Sequence, residues 1–238
     1  MKNDICINEQ ALRSYLESKS LDSAIFDEIK ALAGRTIAEI VEIIRNGKAR
    51  EHFRIHDVLN LFGYELEVIG IGHDMAADNL DRPTITLMAK SLLHARRMHP
   101  GACQRGWIDT ELRKWLNTEF ITQLPEELTQ HICEVVKLTH NSKGEAFETV
   151  DKLFIPAESE LFGSAIWSAQ EDGPRYEAFA TSDDRMRFDE DGDGCWYWTR
   201  SAGGGDSTYC ALVASGGLAS AGGASSAAVR APLCFCLA

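Results

Sequence analysis

Leu21, Ile25, Ile29 and Leu32 fall at helical spacing, and after Gly34 the series Ile37, Ile40 and Ile44 repeats it. Both runs predict amphipathic helices and make residues 1–47 a helical N-terminal region. So short a region buries little surface alone, so its apolar stripe must pack on the rest of the chain or on a second copy; a homo-oligomer through these helices stays open. After Gly47 the period changes to two. Tyr64–Gly72 and Thr84–Ala89 alternate polar and apolar residues and predict paired strands around a polar loop at 73–83. Leu112, Trp115, Leu116 and Phe120 share one face of a helix that Asp109 can cap. Pro125 opens another helical stretch that runs into a strand at Cys133–Leu138. A short strand follows at Leu153–Pro156, then a helical turn at Glu158–Phe162. The order strand, helix, helix, strand and a loop-rich end predicts an α+β domain over 48–238.

The pattern fails between Ser201 and Ala228, where 21 of 28 residues are Ala, Gly or Ser. Such a composition marks a linker, yet it leads into the apolar end Pro232-Leu233-Cys234-Phe235. The segment therefore belongs to the last domain as a surface excursion fixed at both ends. Cys234 and Cys236 are expected on one face of a closing strand.

A net charge of −12 argues against sequence-independent affinity for nucleic acid or an anionic membrane. The N-terminus has no signal-peptide run and no segment reaches the length of a membrane helix, so synthesis in the cytoplasm is expected. Seven cysteines without a CxxC pair predict reduced, mostly buried thiols.

Asp189, Asp191 and Asp193 match the opening of a calcium loop, but Arg200 stands where a bidentate carboxylate is needed. His52 and His56 have i, i+4 spacing without the HExxH glutamate, and Phe53–Val58 reads as a strand. No metal site and no cofactor is expected. Neither GxSxG nor a phosphate loop occurs, and no catalytic triad is indicated. Trp196, Trp198, Arg200 and Arg230 could form a carbohydrate platform, two tryptophans at strand spacing facing one way; the reading preferred is a set of anchors for the ends of the small-residue segment.

The blocks Gly106-Trp107-Ile108-Asp109, Glu111–Asn117, Asp151–Pro156 with Glu158 and Glu160, Tyr197–Ser201 and Val229–Leu233 stand in one order. That order resembles the C-type-lectin-fold variable proteins of diversity-generating retroelements in bacteria and their phages, a group similar to formylglycine-generating enzymes. The resemblance covers roughly residues 50–238. It implies a non-enzymatic, receptor-binding display protein whose C-terminal surface is diversified by adenine-directed mutagenic retrohoming. All residues of 201–228 belong to the set that adenine mutagenesis of AAC codons can reach. The implied ligand-binding positions are Ala202, Gly203, Gly205, Asp206, Tyr209, Ala211, Ala214, Ser215, Leu218, Ser220, Ala221, Ser225 and Ala227. Trp196, Trp198, Arg200 and Arg230 become scaffold. The ligand would be a protein or a glycan, and the protein would reach a virion or cell surface through a carrier. The competing readings are a structural or adhesin protein with one fixed partner, and a formylglycine-generating-like oxidoreductase with Cys210, Cys234 or Cys236 as its thiols.

Overall fold

The computed structural model describes residues 35–189 and 191–238, nearly all of them in the compact unit Ile37–Ala238. The helix expected at Leu21–Leu32 lies outside the described residues. The next one forms as expected: α1 (Ile37–Arg45) buries Ile40, Val41 and Ile44. It belongs to the main unit, however, because Ile40 and Ile44 join the same apolar cluster as Leu66 and Trp107. The compact unit therefore starts at Ile37.

The architecture is α+β with mostly antiparallel sheets. After α2 (Ala49–His52) come β1 (Val58–Leu61), β2 (Tyr64–Ile71) and β3 (Ile85–Ala89). Residues 53–57, expected in a strand, instead form a turn in which His56 has φ 74. Helix α3 (Glu111–Thr118) is capped by Thr110, whose hydroxyl accepts from Arg113 N, and not by Asp109, whose carboxylate takes Arg105 N. A short α4 (Glu126–Thr129) leads to β4 (Ile132–Cys133) and β5 (Val135–His140). The single strand expected at Cys133–Leu138 is split at Glu134, where backbone bonds to 75–77 intervene, so that β4 pairs with the closing strand and β5 with β6 (Ala146–Asp151).

Next come β7 (Leu153–Phe154), α5 (Glu158–Phe162), α6 (Ser182–Arg185) and β8 (Tyr197–Ala202). Strands β9 (Tyr209–Val213), β10 (Ala219–Gly223) and β11 (Cys234–Leu237) complete the chain. The largest sheet has the order β1-β2-β3-β11-β4, with β7 also paired to β11. β11 therefore sits centrally, and its alternation divides the core. Phe235 and Leu237 join Leu66, Trp107, Leu116 and Trp198 on one side, while Cys234 and Cys236 join Phe154, Tyr176, Phe179 and Tyr197 on the other. Strands β8, β9 and β10 form a second sheet in the order β10-β9-β8. Among the described residues, no helix is long and apolar enough to cross a membrane.

Candidate functional site

The small-residue segment is an ordered antiparallel sheet, not an open excursion. β8 is buried along its length, β9 is buried except at Tyr209, and β10 is half-buried throughout. Small residues suit this position. Leu212 Cδ2 would approach a Cβ on Gly222 to 2.9 Å, and Tyr209 Cβ would approach one on Gly203 to 3.0 Å. The first turn is set by Asp206, whose Oδ1 accepts from Thr208 N at 2.9 Å and Thr208 Oγ1 at 2.7 Å; those bonds hold its carboxyl below the usual range. The second turn closes with Ala214 N donating to Leu218 O at 2.8 Å. Backbone bonds tie the segment to its surroundings: Gly204 N to Trp167 O, Gly205 N to Ser142 O, Cys103 N to Ser207 O, and His99 N to Ala224 O. Trp167 is itself half exposed, on a loop whose amides at Ile166, Trp167 and Ser168 all donate to the buried carboxylate of Glu158.

The implied binding positions separate by burial. Gly205, Asp206, Tyr209, Leu218, Ser225 and Ala227 are exposed, Leu218 at 63%, and Ala214, Ser215, Ser220 and Ala221 are half-buried. Ala202, Gly203 and Ala211 are buried, which corrects their assignment as binding positions: β8 and the middle of β9 are covered, and Thr199 Oγ1 closes on Ala211 O at 2.8 Å. These three cannot meet a ligand.

The anchors separate too. Trp198 is fully buried and donates from Nε1 to Arg96 O at 2.8 Å. Arg230 donates to Asp189 Oδ2 at 3.2 Å. Trp196 is 47% exposed, because β8 begins only at Tyr197 and the expected strand alternation does not reach it; it is neither a buried anchor nor on the face of Trp198.

Arg200 ends in a buried ionic centre that no local pattern revealed. Its guanidinium takes Glu160 as a fork, Nη1 to Oε2 at 2.5 Å and Nη2 to Oε1 at 2.8 Å. Glu160 Oε1 also accepts from Lys137 Nζ at 3.2 Å, and Lys137 pairs with Asp74 and with the Tyr176 hydroxyl at 2.9 Å. Asp74 Oδ2 accepts further bonds from Thr86 and Tyr176. Burial works to raise both carboxylates, but Lys137 beside Asp74, and Arg200 and Lys137 beside Glu160, outweigh it and hold both below their ordinary values. Lys137 is correspondingly raised: burial opposes its charge, and Asp74 and Glu160 prevail.

His73, Asp74 and Glu160 place ligand atoms within 4.8 Å of one another, the sole such group among the described residues. The Lys137 ammonium lies between the two carboxylates and already supplies the charge a cation would bring. Asp189, Asp191 and Asp193 form a different structure. Asp189 Oδ1 accepts from the amides of Asp191 and Asp193, and its Oδ2 takes Arg230, so the first carboxylate organises the turn and fixes the arginine. His52 ends α2, while His56 Nδ1 pairs with Glu67 at 2.8 Å; the two lie on different elements.

The family model described as a domain of unknown function, DUF6273, matches residues 83–237. The chain belongs to the DUF6273 family. No curated protein and no solved structure matches it. The DUF6273 region contains the whole β8-β9-β10 sheet, Lys137, Glu160 and Arg200, whereas Asp74, α1 and the β1-β2 hairpin precede it. The buried centre thus joins the DUF6273 region to the loop that follows β2 through the Asp74–Lys137 pair.

Proposed function

We propose that this DUF6273 domain is a C-type-lectin-like scaffold that displays the exposed part of residues 201–228 as a ligand-binding surface, diversified by adenine-directed mutagenic retrohoming. The observation that carries the reading is the contrast within one sheet. Trp198 and Arg200 lock its entry, Val229 and Arg230 its exit, and the turns between expose small side chains on a fixed backbone. A pre-ordered backbone lowers the entropy lost on binding, so side chains can be exchanged without rebuilding the site. The ligand is a protein or glycan, and the reading assigns no catalytic step.

A fixed-partner surface protein is the second reading. It is favoured by Gly217, where φ is +74 and a Cβ would lie 1.9 Å from Ser182 O, a position closed to substitution inside the segment. Exchange of the exposed residues 206, 208, 209, 218, 225, 227 and 228 separates the two. The display reading expects ligand choice to change while the melting temperature stays within a few degrees. Strong destabilisation at most of these exposed positions would contradict it.

A further inference from the structure

The loop at 91–97 runs beside the end of the displayed segment, with Arg96 N donating to Val229 O at 2.9 Å and Leu93 N to Ala231 O at 2.9 Å. Between this loop, the adjacent ends of β2 and β3, and α3 lies a cavity of about 970 Å³. Its apolar wall includes Ala89, Leu93, Trp115, Phe120 and Leu233, and exposed Ala227 stands at its rim. This volume falls in the range of small-ligand sites.

Arg96 is the group in it that points to a ligand. Its backbone is fixed on both sides, by Val229 O and by Trp198 Nε1, and its guanidinium lies 4.1 Å from the Trp115 ring centroid. Its nearest carboxylate oxygen, on Glu111, is 4.0 Å away, beyond hydrogen-bond reach. That carboxylate is held instead by Arg97, through Nη2 at 3.1 Å and Nε at 3.4 Å. Among the described residues, no acceptor takes a guanidinium N–H of Arg96. The contact over Trp115 restrains the guanidinium, so less ordering remains when a planar anion meets it. Glu65 also lines the cavity but is exposed, where solvent and salt screen its charge.

We infer that this cavity binds a carboxylate carried on an apolar body, with Arg96 as the fork and the Trp115–Leu93–Leu233 wall holding the body. Such a carboxylate can come from a small organic acid or from the C-terminus of a peptide. Apart from Ala227 the site lies outside residues 201–228, so its loss leaves the display reading standing, and failure of the display reading leaves this site standing.

Isothermal titration calorimetry of the full chain tests it with two probes: 3-phenylpropionate, and a pentapeptide ending in Phe with a free C-terminus. Saturable binding of either supports the site, and which one binds identifies the source. The matching amides, 3-phenylpropionamide and the amidated peptide, are expected to bind about tenfold more weakly or worse, since they lose a charge-assisted pair. Arg96→Gln should weaken binding about tenfold, and Arg96→Lys, which keeps the charge without the fork, should also weaken it. Arg97→Gln releases the Glu111 carboxylate, which already lies 4.0 Å from Arg96, to compete for the fork, and should also weaken binding, by less than Arg96→Gln does. Ala227→Trp should obstruct the rim and weaken binding. No binding of either acid at millimolar concentration, equal binding of acids and amides, or unchanged binding by both Arg96 variants overturns the inference.

Discussion

Replacing Lys137 with Met keeps the length of the side chain and removes the ammonium that Asp74 and Glu160 share. Glu160 retains its fork from Arg200, but Asp74 is left buried with neutral donors alone, the Thr86 and Tyr176 hydroxyls and the Cys236 thiol. Removing one partner of a buried pair costs about 3–5 kcal/mol, most of it from the stranded charge. For a unit of this size, each kcal/mol moves the melting temperature by roughly 2–4 °C, so a fall of about 6–20 °C is expected. Thermal and urea unfolding followed by circular dichroism would measure it. Adding Asp74→Asn to Lys137→Met should recover part of the loss, because no charge is then stranded.

The pH dependence has a definite sign. In the wild type Asp74 and Glu160 are held low, so their stabilisation is complete above the unfolded carboxylate value near ~4 and is lost as pH falls through the lower folded values. Lys137 is raised, so its contribution is present below ~10.4 and is lost as pH rises through the folded value. In Lys137→Met the stranded Asp74 becomes easier to protonate, and the deficit should shrink from pH 7 towards pH 4.5. A variant within about 1 kcal/mol of wild type at pH 7 would refute the reasoning, because buried pairs cost more than that to break.

Gly217→Ala should destabilise by more than about 2 kcal/mol through backbone strain and collision with Ser182 O, whereas Gly205→Ala, at φ +77 with open space around it, should cost only about 1–2 kcal/mol; denaturant midpoints of the two variants compare them directly. Trp198→Ala should cost about 3–5 kcal/mol and half-exposed Trp196→Ala less than about 1 kcal/mol, and equal losses in urea unfolding would restore Trp196 as an anchor. In a Cys6→Ser variant, thiol labelling at pH 7.5 should be slow at every remaining cysteine: five are buried, burial pushes Cys133 up to about 11, at Cys195 burial followed by the Asp189 bond raises the thiol, and Cys103, which its bond with Cys210 lowers, is enclosed. One fast thiol would instead favour the oxidoreductase reading.

Elements with strong periodicity were legible in the sequence: α1 from Ile37, Ile40 and Ile44, the β2-β3 pair, and α3 from Leu112 and Leu116. The β9-β10 hairpin was not, because Ala, Gly and Ser carry no amphipathic contrast and its burial comes from neighbours such as Trp198. Lys137 was hidden by an inverted alternation: on β5 the lysine points inward and Leu138 is 38% exposed, the reverse of what polarity predicts. Its partners Asp74 and Glu160 lie 63 and 23 residues away, and only the fold brings them together. The same holds for Arg96 and Trp115, whose contact depends on the fold placing the 91–97 loop beside α3. The anchors were half legible, since the Tyr197–Arg200 block marked a strand but not where it began.

Sequencing the DNA on either side of the gene tests the central claim most directly. The account predicts a near-copy of the gene's 3′ end close to a reverse transcriptase gene, differing only at adenines. Those adenines should fall in codons for exposed or half-exposed residues such as Asp206, Tyr209, Ser215, Ser220 and Ser225, and not in those for Trp198, Arg200 or Gly217. The absence of such a repeat, or differences spread evenly over buried and exposed codons, would contradict it.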